Sequence, residues 1–302
     1  MKDSRPASSP HPPHLVRSFH PFSSQVEIDV SAVTHPGLLR ENNEDQFYVA
    51  RLSRALETMT TSLPADAVPA RAEEVNYAMV VADGMGGHAA GEVASRLAIS
   101  GLVALALEIP NWILRLDTES GPELERRARE SVQQLSTMMF KEGRDHEELR
   151  GMGSTLTIAR SLGRELLVVH VGDSRAYLLR SSQLHRLTKD HTYAQMLVDC
   201  GKLAACDVAE SRVRHILTNA LGGSSETVDV DVDLLRLENR DRVLLCSDGL
   251  TDLVDDDTIT TALTESATSK QACDRLLQLA LDRGGRDNIT VIVAGYTLPA
   301  ED

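Results

Sequence analysis

Positive charge is scarce: 31 Lys and Arg stand against 45 Asp and Glu in 302 residues, a formal net charge of -14. No basic stripe is available to neutralise phosphates, so a nucleic-acid binder is not expected. Aromatics make up only 3%, and a core must therefore rest on Leu, Val, Ala and Ile. Cys200, Cys206, Cys246 and Cys273 show no CxxC spacing, and no secretory signal precedes them. This excludes a disulfide framework and a Cys/His zinc site, and predicts reduced thiols in a cytoplasmic protein. The longest uncharged apolar run, 97–107, falls short of the roughly 20 residues of a membrane span. No membrane crossing is expected.

What the chain does have is aspartate beside glycine or asparagine at the ends of short apolar runs. The segments are VVADGMGGHAAGE (80–92), HVGDSRAYLLR (170–180), LLCSDGLTD (244–252) and GGRDNITV (284–291). Each reads as a strand meeting an acidic turn, which would bring carboxylates from distant strands to one sheet edge. Ionised carboxylates a few ångströms apart repel, so their pKa values rise unless a cation sits between them. Oxygen-only ligands favour Mg2+ or Mn2+, and a dinuclear hard-metal site is the first expectation.

Composition, 42% hydrophobic and 25% charged, suits one enzyme-sized domain. Residues 1–25 are rich in Pro, Ser and His without apolar period, the composition of a disordered tail. A folded domain is expected over 26–298, with 299–302 as a short C-terminal tail. Strands are expected at 26–32 and 45–50, a loop or hairpin extension at 52–75, and a strand at 77–82. Helices follow at 92–109 and 122–141, then strands at 153–161, 165–171, 175–180, 227–237 and 241–247. Helices at 256–265 and 269–282 precede a closing strand at 288–296. Strands grouped with strands indicate an α+β fold with antiparallel sheets and helices on their outer faces.

Read in order, GLLRENNED (37–45), VADGMGGHAAGEVAS (81–95), GMGSTLT (151–157), HVGDSRAYLLR, LTKDH (187–191), LLCSDGLTD and RDNITV (286–291) resemble the motifs of the metal-dependent protein phosphatase 2C family, bacterial type. The resemblance implies a four-layer α-β-β-α sandwich with its metals at one end of the sheets. It also implies hydrolysis of phosphoserine and phosphothreonine on proteins, reversing serine/threonine kinase signalling, by a hydroxide held between two ions. By resemblance, Asp83 bridges both ions and the carbonyl of Gly84 ligates the first, while Asp248 and Asp287 hold the second. Glu44 and Asp45 match acids that act largely through metal-bound waters, and Asp173 with Asp248 matches a third, weaker ion site. Arg40 matches the arginine that grips the substrate phosphate, a task for a planar bidentate donor.

Eukaryotic relatives carry histidine after the Asp-Gly pair, a candidate general acid, where this chain has Met85. The proton for the leaving group must then come from elsewhere, a metal-bound water being the preferred source. His88 and His191 are better read as structural hydrogen-bonding groups. Asp255, Asp256 and Asp257 suit a helix N-terminus, and Cys246 suits core packing. The variable stretch 192–214, a flap in relatives, is where substrate selectivity is expected. The implied partners are phosphorylated proteins, among them kinases and their substrates, with a monomer as the default.

Two other functions compete. Gly84-x-Gly86-x-x-Ala89 between a strand and a helix formally matches a dinucleotide fingerprint, but Asp83 would repel a pyrophosphate. A non-catalytic module that binds phosphoproteins would be marked by loss of a metal aspartate or of the phosphate arginine, and none of these is missing.

Overall fold

A computed structural model describes residues 26–64, 67–86, 90–108 and 121–298. The expected tails, 1–25 and 299–302, and His88 lie outside them. The elements are β1 (Glu27–His35), β2 (Asp45–Glu57), β3 (Arg71–Met85), α1 (Ala90–Glu108), α2 (Gly121–Asp145), β4 (Gly153–Ser154), β5 (Leu156–Leu162), β6 (Glu165–Val171), β7 (Arg175–Arg180), β8 (Gln183–Arg186), α3 (Tyr193–Asp199), β9 (Leu221–Gly222), β10 (Asp231–Arg236), β11 (Arg242–Cys246), α4 (Asp248–Thr251), α5 (Asp256–Glu265), α6 (Ser269–Asp282) and β12 (Ile289–Thr297).

The strands form two sheets. One runs β1-β12-β11-β7-β8; the other runs β10-β6-β5-β3, with β2 on the far edge of β3 and the short β4 and β9 continuing from the end of β3. Every pairing is antiparallel.

Alternation along the strands builds the layers, because successive side chains leave a strand on opposite faces. In β11, Val243 and Leu245 join Met79, Val81, Val168, Ile292 and Ala294 in a cluster between the sheets. Leu244 and Cys246 instead meet Ile259, Leu263, Ala272 and Leu276 of α5 and α6. The other sheet repeats the scheme, as Val80 and Ala82 of β3 pack with Ala94 and Ala98 of α1 and Leu135 of α2. The result is helix, sheet, sheet, helix, the expected sandwich, with Cys246 in the core.

Of the two expectations for 52–75, the hairpin extension holds: residues 52–57 belong to β2, which pairs with β3 from Asp45↔Asp83 to Glu57↔Arg71. Most of these residues are exposed, so no apolar alternation marks a strand held by backbone hydrogen bonds at a sheet edge. In addition, Ala90–Leu107 of α1 has the length and mean hydropathy, 1.5, of a membrane-crossing helix. Glu92 and Arg96 interrupt the uncharged run from which the sequence was read. Here Ala90, Ala94, Ala98 and Leu105 pack into the core on β3 and α2.

Candidate metal centre

The start of β2, the end of β3, the β6–β7 turn, the end of β11 with α4, and the start of β12 all meet at one end of the sandwich. A cavity of about 700 Å3 opens there, and Arg40, Glu44, Asp83, Gly84, Asp173, Asp248 and Asp287 line it. Those are the residues singled out in the sequence, with Asp45 as the exception. Asp45 is 1% exposed and sits behind the wall, opposite Asp83 in the β2–β3 register.

Backbone packing sets this geometry. The Gly84 N–H donates to the Glu44 carbonyl at 3.1 Å. A Cβ on Gly84 would lie 2.0 Å from the Gly91 carbonyl oxygen, so only glycine lets β3 meet α1 here. Asn288 clamps the loop that carries Arg40 and Glu44. Its Nδ2 donates to the carbonyls of Pro36 (3.0 Å) and Asn42 (2.9 Å), and its Oδ1 accepts from Glu44 N–H at 2.7 Å. Thr155 ties two ligand segments together: its Oγ1 accepts from Asp83 N–H at 2.9 Å and pairs with Ser174 Oγ at 2.8 Å.

The electrostatics are those of acids crowded without enough cations. Burial first, then Asp45, Asp248, Asp173 and Asp287, push the Asp83 carboxyl well above the usual range. Asp173 is raised well above that range too, by burial and by Asp248. Asp45 is pushed up to about 7, mainly by burial, although Ser247 Oγ donates to its Oδ2 at 2.7 Å. Its Oδ1 is buried without a hydrogen-bond partner. Glu44 is raised by burial, against the pull of Arg40. The Arg40 guanidinium donates from Nη2 to Asp287 Oδ2 at 2.7 Å, and that hydrogen bond raises its pKa.

Several contributors escaped the sequence reading. Asp252 lines the cavity one helical turn after Asp248, and Arg214, the last residue of the variable stretch, enters it together with His215. Ligand atoms of His215, Asp248 and Asp252 lie within 4.8 Å of one another. The Asp248-to-Asp252 spacing was a legible signal, since residues four apart share a helix face. Nothing local marks His215. His191, by contrast, is not on the cavity wall.

The donor set fits divalent cations. Buried carboxylates with raised pKa values and an orphaned carboxylate oxygen are what a site looks like when an ion neutralises its charge. The oxygen-rich set suits Mn2+ or Mg2+, and the nearby imidazole is compatible with Mn2+.

The protein phosphatase 2C family model matches residues 62–284. The serine/threonine protein phosphatase PstP of Mycobacterium tuberculosis is 39% identical over 261 residues, 85% of this chain, and the chain spans 43% of PstP's length. The serine/threonine phosphatase stp of Listeria monocytogenes is 34% identical over 215 residues, 71% of this chain and 82% of its own. Among solved structures, the PstP catalytic domain in complex with two manganese ions superposes with a TM-score of 0.69 at 34% identity, covering 90% of this chain and 99% of that one. Stp1 from Staphylococcus aureus gives a TM-score of 0.72 at 29% identity, over 89% and 95%. Motif order, the double-sheet architecture, the gathered carboxylates and these similarities lead to one assignment: the chain belongs to the protein phosphatase 2C family.

Proposed function

We propose that this chain hydrolyses phosphoserine and phosphothreonine on proteins in a metal-dependent reaction. The observation that carries the reading is the joining of Asp83, Asp173, Asp248, Asp287 and Arg40, from widely separated segments, around one cavity. Asp83, Asp248, Asp287 and the Gly84 carbonyl would hold two divalent ions, with Glu44 and the buried Asp45 supporting them. Asp173, Asp248 and Asp252 would hold a third, weaker one. Bound ions supply the acidity that makes a water nucleophilic at neutral pH and neutralise charge that grows on the phosphoryl oxygens.

The chain's own residues do the rest. Arg40 binds the phosphate: among the described residues Asp287 is its only partner, which leaves further guanidinium N–H groups for phosphate oxygens. Thr155 and Asn288 fix the segments that carry Asp83, Glu44 and Arg40. Met85 lines the cavity beside Asp83 but has no proton to give to a leaving alkoxide. Manganese is the favoured ion, supported by the PstP complex with two manganese ions, and magnesium fits the same oxygens. The substrates would be phosphorylated proteins, kinases and their targets included. We place a monomer in the cytoplasm, in keeping with the free thiols of Cys200 and Cys206.

The test is phosphate release from a phosphopeptide with Mn2+, with Mg2+ and with chelator, for wild type and for Asp287→Asn. Release that needs the metal and disappears in the variant, together with a lower Mn2+ stoichiometry by calorimetry, is expected. Phosphopeptide binding without release would favour a non-catalytic module, and full turnover by Asp287→Asn would end the dinuclear reading. For Asp173→Ala, turnover of the phosphopeptide should fall more than turnover of nitrophenyl phosphate, whose leaving group needs less protonation.

A further inference from the structure

His191 lies immediately before the variable stretch, off the cavity wall, and yet it touches everything that stretch hangs from. Its backbone N–H donates to the Gly172 carbonyl at 2.7 Å, and its carbonyl accepts from Thr218 N–H at 2.9 Å. Thr192 bridges Leu217, and Tyr193 N–H donates to the Ile216 carbonyl at 2.8 Å. Residues 192–217 therefore leave and rejoin the fold at a single neck, with His191 on its inner side.

The imidazole adds a specific link. Asn219 has a fixed amide orientation, because its Oδ1 accepts from Asp229 N–H at 3.2 Å while its Nδ2 donates to the Asp229 carbonyl at 2.6 Å. That Nδ2 also donates to His191 Nδ1 at 2.8 Å, and Gly172 N–H donates to the same nitrogen at 3.2 Å. Two donors aimed at Nδ1 require the tautomer that carries its proton on Nε2. The Nε2–H in turn donates to Asp231 Oδ2 at 3.0 Å. His170 packs against the ring with centroids 4.9 Å apart, and the Lys189 carbonyl and Thr157 hold His170 in place. The ring of His191 has little room to turn.

We propose that His191 is a positioning residue that couples the 192–217 stretch to Asp173, through the acceptor its Nδ1 offers to Gly172 and Asn219. Gly172 adopts φ +108, a conformation open to glycine, and the hydrogen bond from its N–H to His191 Nδ1 holds one geometry for the turn that aims Asp173. Movement at the neck then reaches a metal-facing carboxylate, and occupancy at that carboxylate reaches the neck. The coupling itself stands on these hydrogen bonds. Its effects on Mn2+ binding and on turnover rest on the proposed function.

Two substitutions separate the ring's nitrogens. His191→Asn puts an oxygen acceptor close to the place of Nδ1, whereas His191→Gln extends past it toward Asp231. In the full chain with Mn2+, His191→Gln should raise amide hydrogen exchange together at 171–174, at 192–196 and at 216–219. It should also weaken the weakest Mn2+ binding step about tenfold, as loss of an outer-shell partner does. On a phosphopeptide, kcat should fall by a similar factor with KM changed less than about twofold. His191→Asn should restore all of these. Should His191→Gln fail to fold, Asn219→Ala, which removes one donor from the same acceptor, is expected to raise exchange at 171–174 and at the neck to a smaller degree. Equal impairment in the Asn and Gln variants, or exchange that rises at the neck while 171–174 and Mn2+ binding stay unchanged, overturns the coupling. Linked exchange in His191→Gln, together with a wild type that releases no phosphate, would remove the proposed function and leave the coupling standing.

Discussion

Arg40 shows how one side chain can belong to the site without holding up the fold. Its ion pair with Asp287 joins side chains that are 55% and 40% exposed, and exposed pairs contribute about 0–1 kcal/mol. Arg40→Ala should therefore leave Tm nearly unchanged and raise KM for a phosphopeptide about tenfold or more, with a smaller loss in kcat. Lysine should rescue only in part, because a point charge cannot replace a planar fork. An unaltered KM, with inorganic phosphate inhibiting as well as before, would take Arg40 out of the site. Asp83, Asp173, Asp248 and Asp287 were legible in the sequence because each sits beside a glycine or asparagine at one end of an apolar run. The depth of Asp45 was not. Its burial comes from the register with Asp83 and from Ser247, contacts made across 202 positions of chain, and no local pattern encodes them. His215 and Thr155 escaped for the same reason.

Packing between β3 and α1 leaves no room for a side chain at Gly84. An alanine at Gly84 would place a methyl 2.0 Å from the Gly91 carbonyl oxygen and 2.9 Å from that of Glu44. Both neighbours are backbone and cannot swing aside. Overpacking of this kind costs about 1–3 kcal/mol or more, so Gly84→Ala should lower Tm by several degrees and weaken Mn2+ binding with it. A variant that melts like wild type would mean that α1 slides easily on the sheet. Most elements could be read from apolar period, α5, α6 and β12 to within about two residues. The short β8 was not read because most of its side chains are exposed and its order comes from pairing with β7, and α3 lies in the variable stretch, where no helix was expected.

For the molecule as a whole, the clustered acids link stability to pH and to metal. Asp45 is raised from an ordinary 3.8 to about 7, so between those values the folded chain keeps a proton that the unfolded chain has released. That contribution is present at the acid end and is lost as pH rises through about 7. Asp83 and Asp173 are raised as well and act with the same sign. His170 opposes them: burial lowers it from 6.5 to about 4, and its contribution grows as pH rises through that window. The metal-dependent increment isolates the acids, because His170 is common to both states. The gain in Tm on adding Mn2+ to chelated protein should grow from pH 5 to pH 8, and an increment independent of pH would show that the carboxylates do not hold protons.

The strand order has one more consequence. β12 lies between β1 and β11 in its sheet, although it is the last of the described strands in sequence and follows closely on Asp287. As the domain emerges from the ribosome, β1, in its first tenth, must wait for a neighbour that follows all the other described strands in sequence. Until that strand slots in, β1 stays apart from the rest of its sheet, and the loop bearing Arg40 has no Asn288 to clamp it. The cavity therefore cannot assemble before the domain's closing strand has been made, however early Arg40 and Asp83 emerge.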